Sequence, residues 1–198
     1  MKELIFSLEN NCKFNKLRDS KGAICFIINE KKHYIHDIYP SIPFAKQPQH
    51  IIQSLYRFCI VRNPIERIIS CYNNRVLRYK VLSQDLLLEA GIKAPADPDL
   101  NQFIINLEQY RKVGDIKHHT HSLVHFLGKE SGFYNEIFNL KNLNKAERTL
   151  KKHYPDRKVK IPHLQQTMRM TDQKRNILSD IATKKIIELY EEDYKIYG

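Results

Sequence analysis

Arg62 and Ser70 stand eight positions apart after a short apolar run, and their side chains suit an oxyanion. The run 58–61 is typical of a strand that is covered on both faces, so Arg62 lies where this strand ends. Pro64 suits the first position of a following helix, because its missing N–H would be unpaired there anyway. A guanidinium, a hydroxyl and a helix N-terminus that converge in this way predict a phosphate site. In the alternative interpretation, Arg62 and Arg67 only cover a helix end and Ser70 only packs.

The stretch Arg-Asn-Pro-x-x-Arg-x-x-Ser-x-Tyr that begins at Arg62 resembles the 3′-phosphate motif of the carbohydrate sulfotransferases, of the sulfotransferase family 2 type. These enzymes use 3′-phosphoadenosine 5′-phosphosulfate (PAPS) as donor, release PAP and need no metal. The resemblance implies that Arg62 and Ser70 hold the 3′-phosphate and that the acceptor is a carbohydrate. Residues 186–198 resemble the closing helix of that family, which supports the fold rather than the chemistry. Weaker similarities lie at 119–122 and 161–165.

The N-terminal region departs from the family pattern. The family begins with a strand and a turn that binds the 5′-phosphosulfate; here residues 3–8 predict the strand. By the resemblance, the donor-binding residues of the turn are Asn10, Asn11, Cys12, Lys13 and Phe14.

Glu9 falls where the family has a lysine, and a carboxylate that faces a sulfonate is repulsive in a site of low dielectric. Two outcomes are open. Either Lys13 or Lys16 supplies the missing positive charge, which makes both of them candidate catalytic residues, or the nucleotide binds without turnover.

Sulfuryl transfer needs a base for the acceptor hydroxyl and positive charge for the leaving phosphate oxygen. We favour His36 as the base, because related uronyl 2-O-sulfotransferases carry a catalytic histidine in a similar position. Asp37 could orient its ring. An exposed loop histidine without a catalytic role is the alternative, and Glu66 and Glu9 are weaker candidates for the base.

The chain has 198 residues, a formal net charge of +11 and 42% hydrophobic residues. The basic residues are spread along the chain, which argues against a nucleic-acid-binding tail. Part of the excess charge suits an anionic nucleotide, and the rest could steer an acidic glycan acceptor. The sequence does not predict an oligomeric state.

No uninterrupted apolar segment is long enough to span a membrane, and no signal peptide is visible, so we expect a cytoplasmic protein. The four cysteines form no C-x-x-C pair, and we expect free, mostly buried thiols. His118, His121 and His125 could share a helix face, but no cysteine or carboxylate completes a metal signature, so we predict no metal site.

Strands and helices alternate, which predicts one α/β domain over residues 1–198. The expected architecture is a P-loop-NTPase-like three-layer sandwich, with a central parallel sheet flanked by helices and a ligand at the carboxyl ends of the strands. We expect strands at 3–8, 23–29, 57–61 and 134–139, a loop at 91–98 and an irregular excursion at 30–56. The expected helices are 12–20, 64–80, 99–111, 118–128, 142–152 and 172–197.

The first functional hypothesis is a PAPS-dependent transferase that sulfates a carbohydrate hydroxyl. The second is a descendant of the same fold that binds a nucleotide or an anionic polymer without turnover, which the altered 5′ turn favours. A P-loop kinase is disfavoured, because the chain contains no G-x-x-x-x-G-K-[ST] cradle.

Overall fold

The computed structural model describes residues 1–19, 24–28, 30–161 and 177–198. The strands are β1 (Leu17–Arg18), β2 (Ile24–Ile28), β3 (Lys31–Tyr34), β4 (Phe58–Val61) and β5 (Glu136–Asn139). The α-helices are α1 (Lys2–Asn10), α2 (Ile35–Ile38), α3 (Gln49–Ile52), α4 (Pro64–Cys71), α5 (Gln84–Glu89), α6 (Leu100–Ile105), α7 (Leu107–Tyr110), α8 (Gly114–Thr120), α9 (Leu123–Leu127), α10 (Leu143–His153), α11 (Asp180–Leu189) and α12 (Glu191–Tyr197). A π-helical segment, Tyr72–Arg78, extends α4, and single 3-10 turns lie at Phe44–Lys46, Ser131–Phe133 and Leu140–Asn142.

The strands form two sheets. β1, β2 and β3 pair antiparallel, whereas β4 and β5 pair parallel with Phe58 opposite Glu136 and Val61 opposite Asn139. The α/β class is therefore confirmed. Among the described residues the parallel sheet has two strands, and the complete three-layer sandwich stays a prediction.

The parallel pair is covered on both faces, as the apolar run of β4 predicted. Phe58 and Ile60 pack against a cluster that α1 and α10 supply, and Cys59 and Val61 pack against residues of α9 and α12. A larger cluster joins α4 to the helices between 84 and 120 and to α11; its fully buried members include Ile68, Phe103, Leu107, Tyr110 and Ile186.

The predicted first strand, residues 3–8, is wrong, because this segment lies within α1. Leu4 and Leu8 share one face and pack with Phe138, while Phe6 points to the aromatic cluster of Phe14 and Phe26. A helix wedged between two clusters buries residues on both of its sides, so its apolar positions alternate as those of a strand do.

Most of the other predicted elements are confirmed. Strands occur within 23–29, 57–61 and 134–139, and helices within 64–80, 99–111, 142–152 and the described part of 172–197. The predicted helix 12–20 is wrong, since 13–16 are irregular and β1 follows. Asp99 caps α6 through a capping box with Gln102, so the predicted loop 91–98 ends where the predicted helix begins. Residues 172–176 and the similarity at 162–165 lie outside the described residues.

The predicted helix 118–128 is interrupted, and Asp193 is the reason. Its buried carboxylate accepts hydrogen bonds from the backbone N–H groups of Leu123 (2.7 Å) and Val124 (3.1 Å) and so starts α9 anew. The same carboxylate lies 3.6 Å from Nη1 of Arg67 on α4. One side chain of α12 therefore fixes both α9 and α4.

All four cysteines are free; Cys12 is exposed and the other three are buried, as the sequence predicted. No helix among the described residues has the length and apolar character needed to cross a membrane.

Replacing Asp193 should unfold the protein more easily than replacing its exposed neighbour. Asp193→Ala leaves Arg67 and two N–H groups without their partner, so we expect the free energy of unfolding to fall by about 3–5 kcal/mol. Glu192→Ala removes only a surface ion pair with Lys129 and should change it by less than about 1 kcal/mol. Urea denaturation measures both variants, and equal stabilities would contradict the role of Asp193.

Candidate active site

Arg62 lies at the carboxyl end of β4, where the chain turns into α4. The Asn63 side chain caps this helix by accepting from the N–H of Ile65 (2.9 Å), and Pro64 occupies the first turn. The guanidinium of Arg62 is partly exposed and lies 3.7 Å from the carboxylate of Glu66. This is the strand–turn–helix junction that the sequence predicted.

A second cation reaches the same place from β5. Because β4 and β5 run parallel in register, Lys141 follows β5 at the same edge, and its Nζ lies 2.7 Å from Glu66. Glu66 therefore holds two cations, Arg62 and Lys141, that together exceed its charge by one. Sequence reasoning missed Lys141, which lies almost eighty residues away in the chain.

Arg67 and Ser70, also on α4, differ in their environments. Arg67 donates to the carbonyl of His121, pairs with Asp193 and packs over the ring of Tyr190 (5.3 Å to the centroid), so its role is structural. Ser70 is half-buried, and its hydroxyl makes no side-chain hydrogen bond within the described part of the chain. The alternative interpretation thus holds for Arg67, while Arg62 and Ser70 stay available to a ligand.

The predicted 5′ segment follows the end of α1, where Asn11 adopts a left-handed conformation. Of its members, Asn10 donates to the Phe6 carbonyl (2.9 Å), and the Phe14 ring is buried against Phe6. Asn11, Cys12 and Lys13 line a pocket that residues 156–160 close from the other side. Lys16 does not line this pocket; its Nζ lies 2.8 Å from the carboxylate of Glu3. The structure therefore leaves Lys13, rather than Lys16, as the cation of this segment that faces a pocket.

Glu9 is turned away from that pocket. Its carboxylate accepts a hydrogen bond from the hydroxyl of Tyr39, and burial together with this carboxylate raises the pKa of Tyr39. The repulsion expected between Glu9 and a bound sulfonate is therefore not imposed by this arrangement.

The structure does not bring the 5′ segment to Arg62. The segment lies against residues that follow α10, and the last residue of α10, His153, contacts the ring of Tyr56 at 4.2 Å, just before β4 begins. That is the amino end of the parallel strands, whereas Arg62 lies at their carboxyl end. The two predicted halves of the donor site thus lie at opposite ends of β4.

His36 lies beside Lys2 at the start of α1, whereas the 5′ segment begins at the end of this helix, about 12 Å further along its axis. The ammonium of Lys2 lies 3.0 Å from its Nδ1, and since an ammonium has no acceptor, Nδ1 must accept. Burial, then Lys2, then His118 lower the pKa of His36 and outweigh the raising effect of Asp37. The lowered pKa of His36 favours the neutral ring, as a base requires, but the Nδ1 lone pair is already engaged by Lys2.

Histidines of α8, of α9 and of the turn between them form a cluster, of which His118 lowers the pKa of His36. The rings of His121 and His125 stack at 4.0 Å, and Phe126 meets both edge-on. His119 lies 3.5 Å from Asp115, but burial, aided by Arg75, lowers its pKa to about 4. In the described residues no group of histidines, cysteines and carboxylates is arranged to hold a metal ion.

His125 also lines a cavity of about 750 Å³ that we call the Phe44 cavity. The rings of Phe44 and Phe133 meet edge-on at 5.0 Å, and Gln49, Gln53 and Lys129 add polar groups. Gly128 has φ +81°, and a Cβ there would lie 2.7 Å from the Phe44 ring, so only glycine fits. The carbonyls of two lining residues, Gln53 and Phe133, accept hydrogen bonds from the side chain of Arg57, directly before β4, so this cavity lies towards the amino end of that strand, whereas Arg62 follows its carboxyl end.

The Lys2–His36 contact predicts how His36 titrates. Its pKa should lie below the usual 6.5, and Lys2→Met should raise it, because the nearby positive charge is removed. Lys46→Met, a charge change elsewhere in the loop, is the control and should leave the titration unchanged. Imidazole NMR against pH measures all three proteins; a His36 pKa that Lys2→Met leaves unmoved would contradict the contact.

Comparison with known proteins identifies the family. Neither the curated proteins nor the solved structures compared with the chain gave a match. The profile of one family, described as Sulfotransferase family, matches residues 1–198, the full length given. The chain therefore belongs to the sulfotransferase family.

Proposed function

We propose that this protein is a PAPS-dependent sulfotransferase that acts on a carbohydrate hydroxyl. Membership of the family supports sulfuryl transfer in general. The observation that carries the choice of donor is the Arg62 junction, because a 3′-phosphate is what distinguishes PAPS from other adenine nucleotides. The proposal includes the predicted three-layer, P-loop-like sandwich. One outer layer would contain α1 and α10, the central layer the parallel strands, and the other outer layer α9 and α12.

The Arg62 junction fits a phosphate. Arg62 is engaged by a partly exposed ion pair with Glu66, Ser70 makes no side-chain hydrogen bond within the described residues, and Lys141 adds a second cation at the same edge. A phosphate can displace the Glu66 carboxylate from either cation, since both pairs are partly exposed and hence weak.

The Phe44 cavity supports a carbohydrate acceptor. Aromatic rings offer faces on which the apolar side of a sugar ring can pack, and the amides of Gln49 and Gln53 can bond its hydroxyls. The volume lies in the range of ligand sites. We propose His36 as the base: the proton of the acceptor hydroxyl passes to Nδ1, which carries the lone pair of the neutral ring, once the Lys2 ammonium has moved off that nitrogen.

A second candidate function is nucleotide or anion binding without turnover. The observation that favours it is the separation of Asn10–Phe14 from Arg62, because the 5′ group of a nucleotide held at Arg62 would not meet Lys13 in this arrangement. Nucleotide binding alone would need only the Arg62 junction.

Arg62→Ala should weaken PAP binding by about 2–4 kcal/mol, because it removes a charge-assisted contact to the 3′-phosphate. Ser70→Ala should cost about 1 kcal/mol, as expected for a neutral donor. Arg148→Ala removes an exposed arginine of α10 and is the matched control. Calorimetry with PAP measures the three variants. Equal losses of PAP affinity in Arg62→Ala and Arg148→Ala would contradict the assignment of Arg62 to the 3′-phosphate.

Turnover separates the two candidates. Turnover is measured with radiolabelled PAPS and a panel of carbohydrates. We expect the rate of sulfuryl transfer to increase with pH, with the midpoint of the increase below pH 6.5, because the base must be neutral and the pKa of His36 is lowered. His36→Ala should slow transfer by about 10²–10⁴-fold while PAP binding is retained, and His33→Ala serves as the control. PAP binding without transfer to any acceptor would favour the second candidate.

A further inference from the structure

A basic pocket lies away from both the Arg62 junction and the Phe44 cavity. We call it the Lys13 pocket; it has a volume of about 630 Å³ between the end of α1 and residues 156–160. Four cationic side chains and one carboxylate line it, together with Ser7 and Asn11; the charged residues are Lys13, Arg157, Lys158, Lys160 and Asp156.

The backbone of the basic segment is anchored at both ends. The Nζ of Lys151 on α10 donates to the carbonyls of Pro155 (2.5 Å) and Arg157 (2.9 Å). At the other end, the N–H of Ile161 donates to Glu147 (2.7 Å), and the Ile161 side chain is buried in the cluster beneath. The basic side chains therefore stand on a fixed backbone instead of a free tail.

Few carboxylates neutralise this charge. Within the described residues, Glu147 lies 3.6 Å from Lys160, whereas Lys13 and Lys158 are exposed and in no ion pair. Like charges gathered on one concave surface repel one another, and an anion relieves that repulsion. Lysine ammonium groups on flexible stems suit a ligand that carries several charges rather than one fixed fork.

We propose that the Lys13 pocket binds the sulfate groups of an acidic oligosaccharide. The family resemblance implies that Asn11, Cys12 and Lys13 bind the 5′ group of the nucleotide donor, so the nucleotide is the competing ligand. Because the pocket lies at the amino end of β4, far from Arg62, we expect the oligosaccharide to be the ligand. Anion binding here does not require sulfuryl transfer, so a protein without turnover would leave this inference intact.

The test compares two double charge reversals. Lys13→Glu with Lys158→Glu changes the pocket, and Lys93→Glu with Lys184→Glu changes two exposed lysines elsewhere by the same net charge. Binding of a heparin-derived hexasaccharide and of PAP is measured by calorimetry at low salt. We expect the pocket variant to bind the hexasaccharide about tenfold or more weakly than the control variant does, since local charge counts for more than net charge.

The two ligands distinguish the source of the anion. A specific loss of hexasaccharide affinity supports the inference. A specific loss of PAP affinity assigns the pocket to the nucleotide instead and contradicts the inference. Equal affinities of the pocket and control variants for both ligands would overturn it. Lys13→Gln with Lys158→Gln, which only neutralises the two exposed side chains, should show the same ranking with a smaller effect, and urea denaturation verifies that each variant is folded.

Discussion

A buried carboxylate must be paired or its desolvation destabilises the fold, and Asp193 meets this constraint by joining three elements. Its oxygens accept from the first N–H groups of α9 and face Arg67 on α4. The neighbouring Tyr190 continues the arrangement, because its hydroxyl donates to the carbonyl of Thr120 (2.6 Å). The C-terminal helices thus hold the segment between α8 and α9 against α4. They also fix α9, which separates the Phe44 cavity from β4.

Local chemistry was enough to predict the Arg62 junction. Pro64 and the apolar run before it fix a strand, a turn and a helix start through φ, burial and capping, all of which act within a few residues. The cap that Asp99 makes could be predicted for the same reason. Where one residue's neighbours in sequence decide its conformation, the sequence pattern and the structure agree.

Non-local contacts decided what the sequence did not show. The alternating apolar residues of α1 fit a strand as well as a helix that lies between two clusters, and only the position of Phe138 and Phe26 decides between them. The interruption at His121 depends on Asp193, seventy residues on. The partners of Glu9 and Arg62, namely Tyr39 and Lys141, likewise come from distant segments.

These contacts change how the charges of the chain are understood. The cationic side chains behind the net charge of +11 do not form one evenly charged binding surface. Two cations stand with Glu66 at the carboxyl end of the parallel strands, and four gather in the Lys13 pocket at the other end. A nucleotide with a 3′-phosphate and a multiply charged polymer can therefore be bound at separate places.

The central claim is that Arg62 and Ser70 bind a 3′-phosphate, and the wild-type protein tests it without any substitution. PAP and ADP each carry two phosphates on adenosine. In ADP both are linked through the 5′-oxygen, whereas PAP has one on the 5′-oxygen and one on the 3′-oxygen. Calorimetric titration of both nucleotides at the same pH and salt compares them directly. The account predicts that PAP binds at least about tenfold more tightly, which corresponds to about 1.4 kcal/mol. Equal affinity for PAP and ADP would contradict it.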